Sequence, residues 1–118
     1  MIEDNPADAT FAEIQLKKAF VEQAYIQKCE YFLKASQLIE KTDFQVILLD
    51  LCLPDSKGLE TLKAFLKICK SPVVIYTGIS DPLVINEAKS SGAMDFLVKG
   101  KTTVADLKQS ILKSIKEY

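Results

Sequence analysis

The stretch from Asp43 to Lys57, Asp-Phe-Gln-Val-Ile-Leu-Leu-Asp-Leu-Cys-Leu-Pro-Asp-Ser-Lys, constrains this chain more than any other. Phe44 to Leu49 is a run of β-formers with one polar break at Gln45. It is too short to span a membrane and fits a strand buried on both faces. The run ends in Asp50. A carboxylate at the end of a buried strand is costly unless something there uses its charge. Pro54, Asp55, Ser56 and Gly58 then mark a tight loop, and a helical pattern follows with Leu59, Leu62, Phe65 and Leu66 on one side. Asp50 is thereby predicted at the carboxyl end of a central strand, where ligands bind in open parallel α/β sheets.

The remaining segments repeat the theme of strand then helix. Asn5 and Pro6 predict a cap and first position for a helix reaching about Phe20. Its apolar residues do not form one stripe: Ala12, Leu16 and Phe20 point one way, Phe11 and Ile14 another. Ala24 to Cys29 alternates as a weak strand, and Tyr31 to Lys41 reads as a helix. After the central strand and its helix, Ser71-Pro72 breaks the pattern. Val73 to Tyr76 is a second buried strand ending at Thr77-Gly78. Asp81-Pro82 opens a helix that Ser91-Gly92 closes. Met94 to Val98 is a further strand, ending at Lys99-Gly100. Thr103 to Asp106 is a capping-box start for a last helix with Leu107, Ile111 and Ile115 on its buried face. Alternating strands and helices predict a doubly wound parallel sheet.

Composition narrows the chemistry. A length of 118 residues, 48% of them hydrophobic, suits one domain over 1–118 with a real core. There is no His, which removes imidazole metal ligands and general bases. All 15 basic residues are Lys, so anions must be bound by ammonium, metal or backbone N–H groups. A net charge of −1 without a basic cluster speaks against direct nucleic-acid binding. No apolar run is long enough for a membrane span. Cys29, Cys52 and Cys69 read as reduced thiols, which points to a cytoplasmic location. Glu3-Asp4, Asp50, Thr77 and Lys99 all follow predicted strands, and in a parallel sheet such ends converge on one edge. Carboxylates packed together repel, and a divalent cation resolves that repulsion. Carboxylate oxygens with waters suit Mg²⁺. A hydroxyl and an ammonium beside such a cation make a receptor for a phosphoryl group.

Glu3-Asp4, the segment Leu48 to Pro54 with Gly58, the segment Val74 to Gly78, and the segment Gly92 to Lys99 together resemble the receiver domain of two-component response regulators. The resemblance covers nearly the whole chain. It implies a flavodoxin-like fold with strand order 2-1-3-4-5. It implies that Asp50 accepts a phosphoryl group from a histidine kinase or phosphotransfer protein in a phosphorelay. Glu3, Asp4, Asp50 and the backbone carbonyl of Cys52 would surround Mg²⁺, Thr77 would bond a phosphoryl oxygen, and Lys99 would pair with the phosphoryl group or with Asp50. Thr77 and Phe96 would act as switch residues. The chain would be a phosphoacceptor that assists its own modification, not an enzyme acting on other substrates.

Three departures from that pattern carry their own expectations. The first strand is nearly absent, since only Met1 and Ile2 precede the acidic pair. A stub strand, pairing with a second copy in a homodimer, or a first helix burying both faces would rescue the sheet, and self-association is the expected outcome. Gly100 stands where the family usually has Pro. A non-proline cis bond costs about 2.5–4 kcal/mol, so a trans peptide is expected. Cys52 and Ile79 occupy the positions that flank the hydrolytic water. Cys52 is read as a small buried hydrophobe, and neither residue orients water, so hydrolysis should be slow. The competing reading is a degenerate receiver that dimerises or docks partners without phosphorylation. An aspartyl-phosphate phosphatase would want a second acid where Cys52 stands, and a flavin protein would want a hydroxyl- and glycine-rich loop where Asn5-Pro6-Ala7 stands.

Overall fold

The computed structural model describes residues 1–20 and 25–118. Its elements are α1 (Pro6–Ala19), α2 (Phe32–Lys41), β1 (Ile47–Leu49), β2 (Cys52–Leu53), β3 (Ser56–Lys57), α3 (Leu59–Ile68), β4 (Val73–Thr77), α4 (Pro82–Ser91), β5 (Asp95–Val98) and α5 (Val104–Glu117). β1, β4 and β5 form a parallel sheet in that order, and β2 and β3 make a two-stranded antiparallel hairpin at the loop after Asp50.

The alternation of side chains along the strands builds the two layers. Ile47, Leu49, Val73, Ile75 and Phe96 face one side, where Ala35 of α2, Leu62 and Phe65 of α3 and Ala88 of α4 cover them. Leu48, Val74 and Tyr76 face the other, against Ala12 and Leu16 of α1 and Leu107 and Ile111 of α5. Helices on both faces explain why the strands are apolar throughout rather than at every second position. The sheet is therefore the doubly wound α/β arrangement expected.

The caps are as the residues suggest. Asn5 Oδ1 accepts from the N–H groups of Ala7 and Asp8 at 2.9 and 3.1 Å. Thr103 and Asp106 exchange the two bonds of a capping box, each at 3.0 Å. Gly92 ends α4 at φ 124°, a conformation that side chains rarely adopt. No described peptide bond is cis, so Lys99–Gly100 is trans as expected.

The first strand is as short as expected: Ile2 makes parallel bridges to Cys29 on one side and Leu49 on the other. Four backbone bonds secure it: Ile2 N–H to Leu48 O, Asp50 N–H to Ile2 O, Glu3 N–H to Cys29 O and Cys29 N–H to Met1 O, all 2.8–3.0 Å. This stub is the first of the three expected rescues. Helix α1 does not bury both faces, for Phe11 and Ile14 are 56% and 48% exposed.

Several expected elements are shorter than the sequence suggested. The strand over Ala24 to Cys29 is reduced to the single bridge at Cys29, and Ala24 lies outside the described residues. The central strand begins at Ile47 rather than Phe44, and the last strand at Asp95 rather than Met94. An apolar cleft of about 180 Å³ opens beside Val46, between Met1, Leu16, Phe20, Ile26, Val46 and Ile111. Ile115, expected on the buried face of α5, lines this cleft and is 38% exposed, while Ser110 and Ser114 take buried positions.

Candidate functional site

The carboxyl ends of the strands converge as the parallel order requires. β1 delivers Asp50, β4 delivers Thr77, the turn after β5 delivers Lys99, and the stub at Ile2 delivers Glu3 and Asp4. They line one open mouth of about 370 Å³ with Asn5, Asp8, Cys52, Gly78 and Ile79.

Asp50 is 5% exposed and fully engaged. Its Oδ1 accepts from Thr77 Oγ1 at 2.7 Å and from the Cys52 N–H at 3.1 Å. Its Oδ2 accepts from Lys99 Nζ at 2.8 Å. Burial pushes the Asp50 carboxyl up, but the donors from Lys99 and Thr77 outweigh it and hold the group below its ordinary value. Thr77 is wholly buried, so its hydroxyl is fixed on Asp50 by packing as well as by its bond.

Lys99 Nζ is the single cation at the mouth among the described residues. Three carboxylates meet it: Asp50 at 2.8 Å, Asp8 at 2.9 Å and Glu3 in direct contact. Burial alone would lower the ammonium, but its hydrogen bonds to Asp50, Glu3 and Asp8 raise it instead. Glu3 is as buried as Asp50, and its Oε2 accepts from the Asn5 N–H at 3.2 Å. Burial is the main cause that lifts the Glu3 carboxyl to about 7, with the Asp50 charge adding to it against the pull of Lys99.

The donor set fits a hard divalent cation. Carboxylate oxygens of Glu3, Asp4 and Asp50 lie within 4.8 Å of one another. Three carboxylates at that separation repel one another, and a divalent cation resolves that repulsion. Oxygen ligands in an open mouth match Mg²⁺, which keeps several of its waters.

One expected site residue sits differently from the reading of the sequence. Cys52 is exposed rather than buried, because the hairpin of β2 and β3 turns Leu53 inward and leaves residue 52 outside. Partial desolvation and the neighbouring Asp50 charge push its thiol up. Phe96, the expected switch residue, is 7% exposed and belongs to the core. Asp8 was missed by the sequence reading. As an acid in the first turn of a helix it looks like an ordinary dipole partner. Only its position just after the acidic pair, on a helix rising from the same loop, hinted at the site.

The chain matches the family model "Response regulator receiver domain" over residues 1–112. It is 24% identical over 109 residues to the two-component response regulator ORR1 of Oryza sativa subsp. japonica, aligning 84% of this chain with 47% of that protein. The chain thus spans about half the length of the curated relatives it matches. Among solved structures, it superposes on the BeF3-activated N-terminal receiver domain of Klebsiella pneumoniae RstA with a TM-score of 0.85 and 21% identity, covering 98% of this chain and 96% of the other. It superposes on the receiver domain of sensor histidine kinase PA1611 of Pseudomonas aeruginosa PAO1 with a TM-score of 0.80 and 20% identity, covering 98% and 94%. That receiver holds a magnesium ion in its active-site cleft. At such identities these two likenesses are of fold.

Proposed function

The chain belongs to the response regulator receiver domain family, and from that premise we propose that it accepts a phosphoryl group on Asp50 in a phosphorelay. The observation that carries this reading is the arrangement around Asp50. One carboxylate oxygen is held by Thr77 and the other by Lys99, with Glu3 and Asp4 alongside. Residues 1–118 would then form one receiver domain.

The donor is a phosphohistidine on a histidine kinase or phosphotransfer protein. An Asp50 oxygen attacks phosphorus, the P–N bond breaks, and its electron pair leaves on the imidazole nitrogen, which takes up a proton. Lys99 and Thr77 remain to neutralise and hydrogen-bond the phosphoryl oxygens. Glu3, Asp4, Asp50 and the Cys52 carbonyl would hold Mg²⁺, which when bound supplies charge neutralisation for the transferring group. Movement of Thr77 toward the phosphoryl group, with Phe96 repacking behind it, is the proposed switch. Cys52 and Ile79 offer no polar side chain to orient water, so the aspartyl phosphate should be long-lived. The proposed setting is cytoplasmic, where Cys29, Cys52 and Cys69, all free, stay reduced. Among the described residues no helix is long and apolar enough to cross a membrane.

The test is intact mass spectrometry with Mg²⁺ and acetyl phosphate. Wild type should gain one phosphoryl group and lose it slowly, and Asp50→Asn should gain none. Equal uptake in the two would sink the assignment. A folded wild type that takes up nothing would favour the other reading, a receiver that docks or dimerises without phosphorylation.

A further inference from the structure

Resting on that reading of the site, we infer that Asp8 is a positioning residue for Lys99. It ties the ammonium to α1 and opposes the arrival of the phosphoryl group. A lysine ammonium has three N–H donors. Here three carboxylates, those of Glu3, Asp8 and Asp50, surround it. A phosphoryl group on Asp50 needs one of those donors, so one present partner must let go.

The three partners are not equivalent. The side chains of Glu3 and Asp50 are 4% and 6% exposed, so an oxygen there that lost the lysine would find little water to replace it. The Asp8 side chain is 44% exposed, so water replaces the lost hydrogen bond. Asp8 is therefore the partner that Lys99 releases. Because Asp8 stands in the first turn of α1, its bond is a tie between that helix and the turn after β5, present before phosphorylation and broken after it.

The same carboxylate also acts through its charge. Asp8 and Asp50 each lie within 3 Å of one nitrogen, so the two carboxylates are less than about 6 Å apart. Phosphorylation takes the charge at Asp50 from −1 to −2, and in a wet mouth a unit charge at that distance opposes that step by about threefold. Its effect on a divalent cation has the opposite sign. Removing the Asp8 charge should weaken Mg²⁺ binding while favouring the phosphoryl group once Mg²⁺ is saturating. General damage to the fold would weaken both.

The experiment compares wild type with Asp8→Asn and Asp8→Glu. Calorimetry should show Mg²⁺ bound up to about tenfold more weakly by Asp8→Asn. At saturating Mg²⁺, its acetyl phosphate uptake and beryllofluoride affinity should rise about threefold. Both differences should shrink in 0.5 M salt, roughly as a Debye length near 4 Å demands. Asp8→Glu, which keeps the charge, should stay close to wild type. Unchanged Mg²⁺ and beryllofluoride affinities in Asp8→Asn would overturn the inference, as would two losses that salt and Asp8→Glu do not reverse. The Mg²⁺ titration reads Asp8 even if no phosphoryl group is taken up, so failure of the inference and failure of the phosphoacceptor reading are distinguishable.

Discussion

Glu3 shows how a buried carboxyl ties pH to stability. Its folded-state pKa of about 7 lies above the ordinary 4.5, chiefly through burial. A carboxyl raised on folding holds its proton more tightly in the native state. Its contribution to stability is full below 4.5 and is lost as pH rises through about 7. Asp50 has the opposite sign, since its lowered value costs stability only as pH falls toward and below the ordinary carboxylate range, so it stays constant across this window. In EDTA, Glu3→Gln should melt with wild type at pH 5 and above it by roughly 5 °C at pH 8. Millimolar Mg²⁺ should reverse that order at pH 8, because only the carboxylate binds the ion. Calorimetric melts at the two pH values check this, and a constant difference would refute it. A carboxyl beside an apolar stub was visible in the sequence. That it is buried and shares Lys99 with two other acids was not.

At the scale of elements, most boundaries follow from local chemistry, and α2 is the exception. Tyr31 at its N-cap makes no side-chain cap bond. The cap comes instead from Asp55, whose two oxygens accept from the Phe32 and Leu33 N–H groups at 2.8 and 3.0 Å. Asp55 sits in the hairpin turn between β2 and β3, directly after the candidate phosphoacceptor segment. Its bonds fasten that hairpin to α2. Asp55→Ala should cost about 1–2 kcal/mol, with Asp55→Asn retaining part of the cap. Urea denaturation measures both, and an Asp55→Ala variant as stable as wild type would show that the cap contributes nothing. Asn5, Thr103 with Asp106, and Asp81 all cap residues near them in the chain, so they were legible. Asp55 caps a helix that precedes it by more than 20 residues, and no local pattern announces that.

For the whole molecule, the open question is how the sheet tolerates so short a first strand. Ile2 satisfies both neighbours at its own level, and an apolar cleft opens beside Met1. Filling that cleft tests the account. Adding about five β-branched residues before Met1 would bury two or three side chains at about 1.5–3 kcal/mol each, offset by the entropy of ordering the segment. The expected gain is about 2 kcal/mol, or roughly 10 °C in Tm. An extended chain that melts no higher would mean that the cleft is already closed in solution.

The residues by themselves determined the doubly wound sheet, most helix ends and the strand-end positions of Asp50, Thr77 and Lys99. Each of these depends on side-chain period, on caps within a few residues, or on the rule that parallel strands present their carboxyl ends together. Tertiary structure alone decided what depends on distance in space. It set Asp8 on Lys99 and Asp55 on α2. It joined buried Gln15 to the Tyr76 hydroxyl at 2.8 Å across the α1 face, and it left Cys52 outside the core it was expected to join. Hydrogen bonds between neighbours in the chain cost little loop entropy and leave a sequence signature. Contacts between distant residues exist only once the sheet has closed around them.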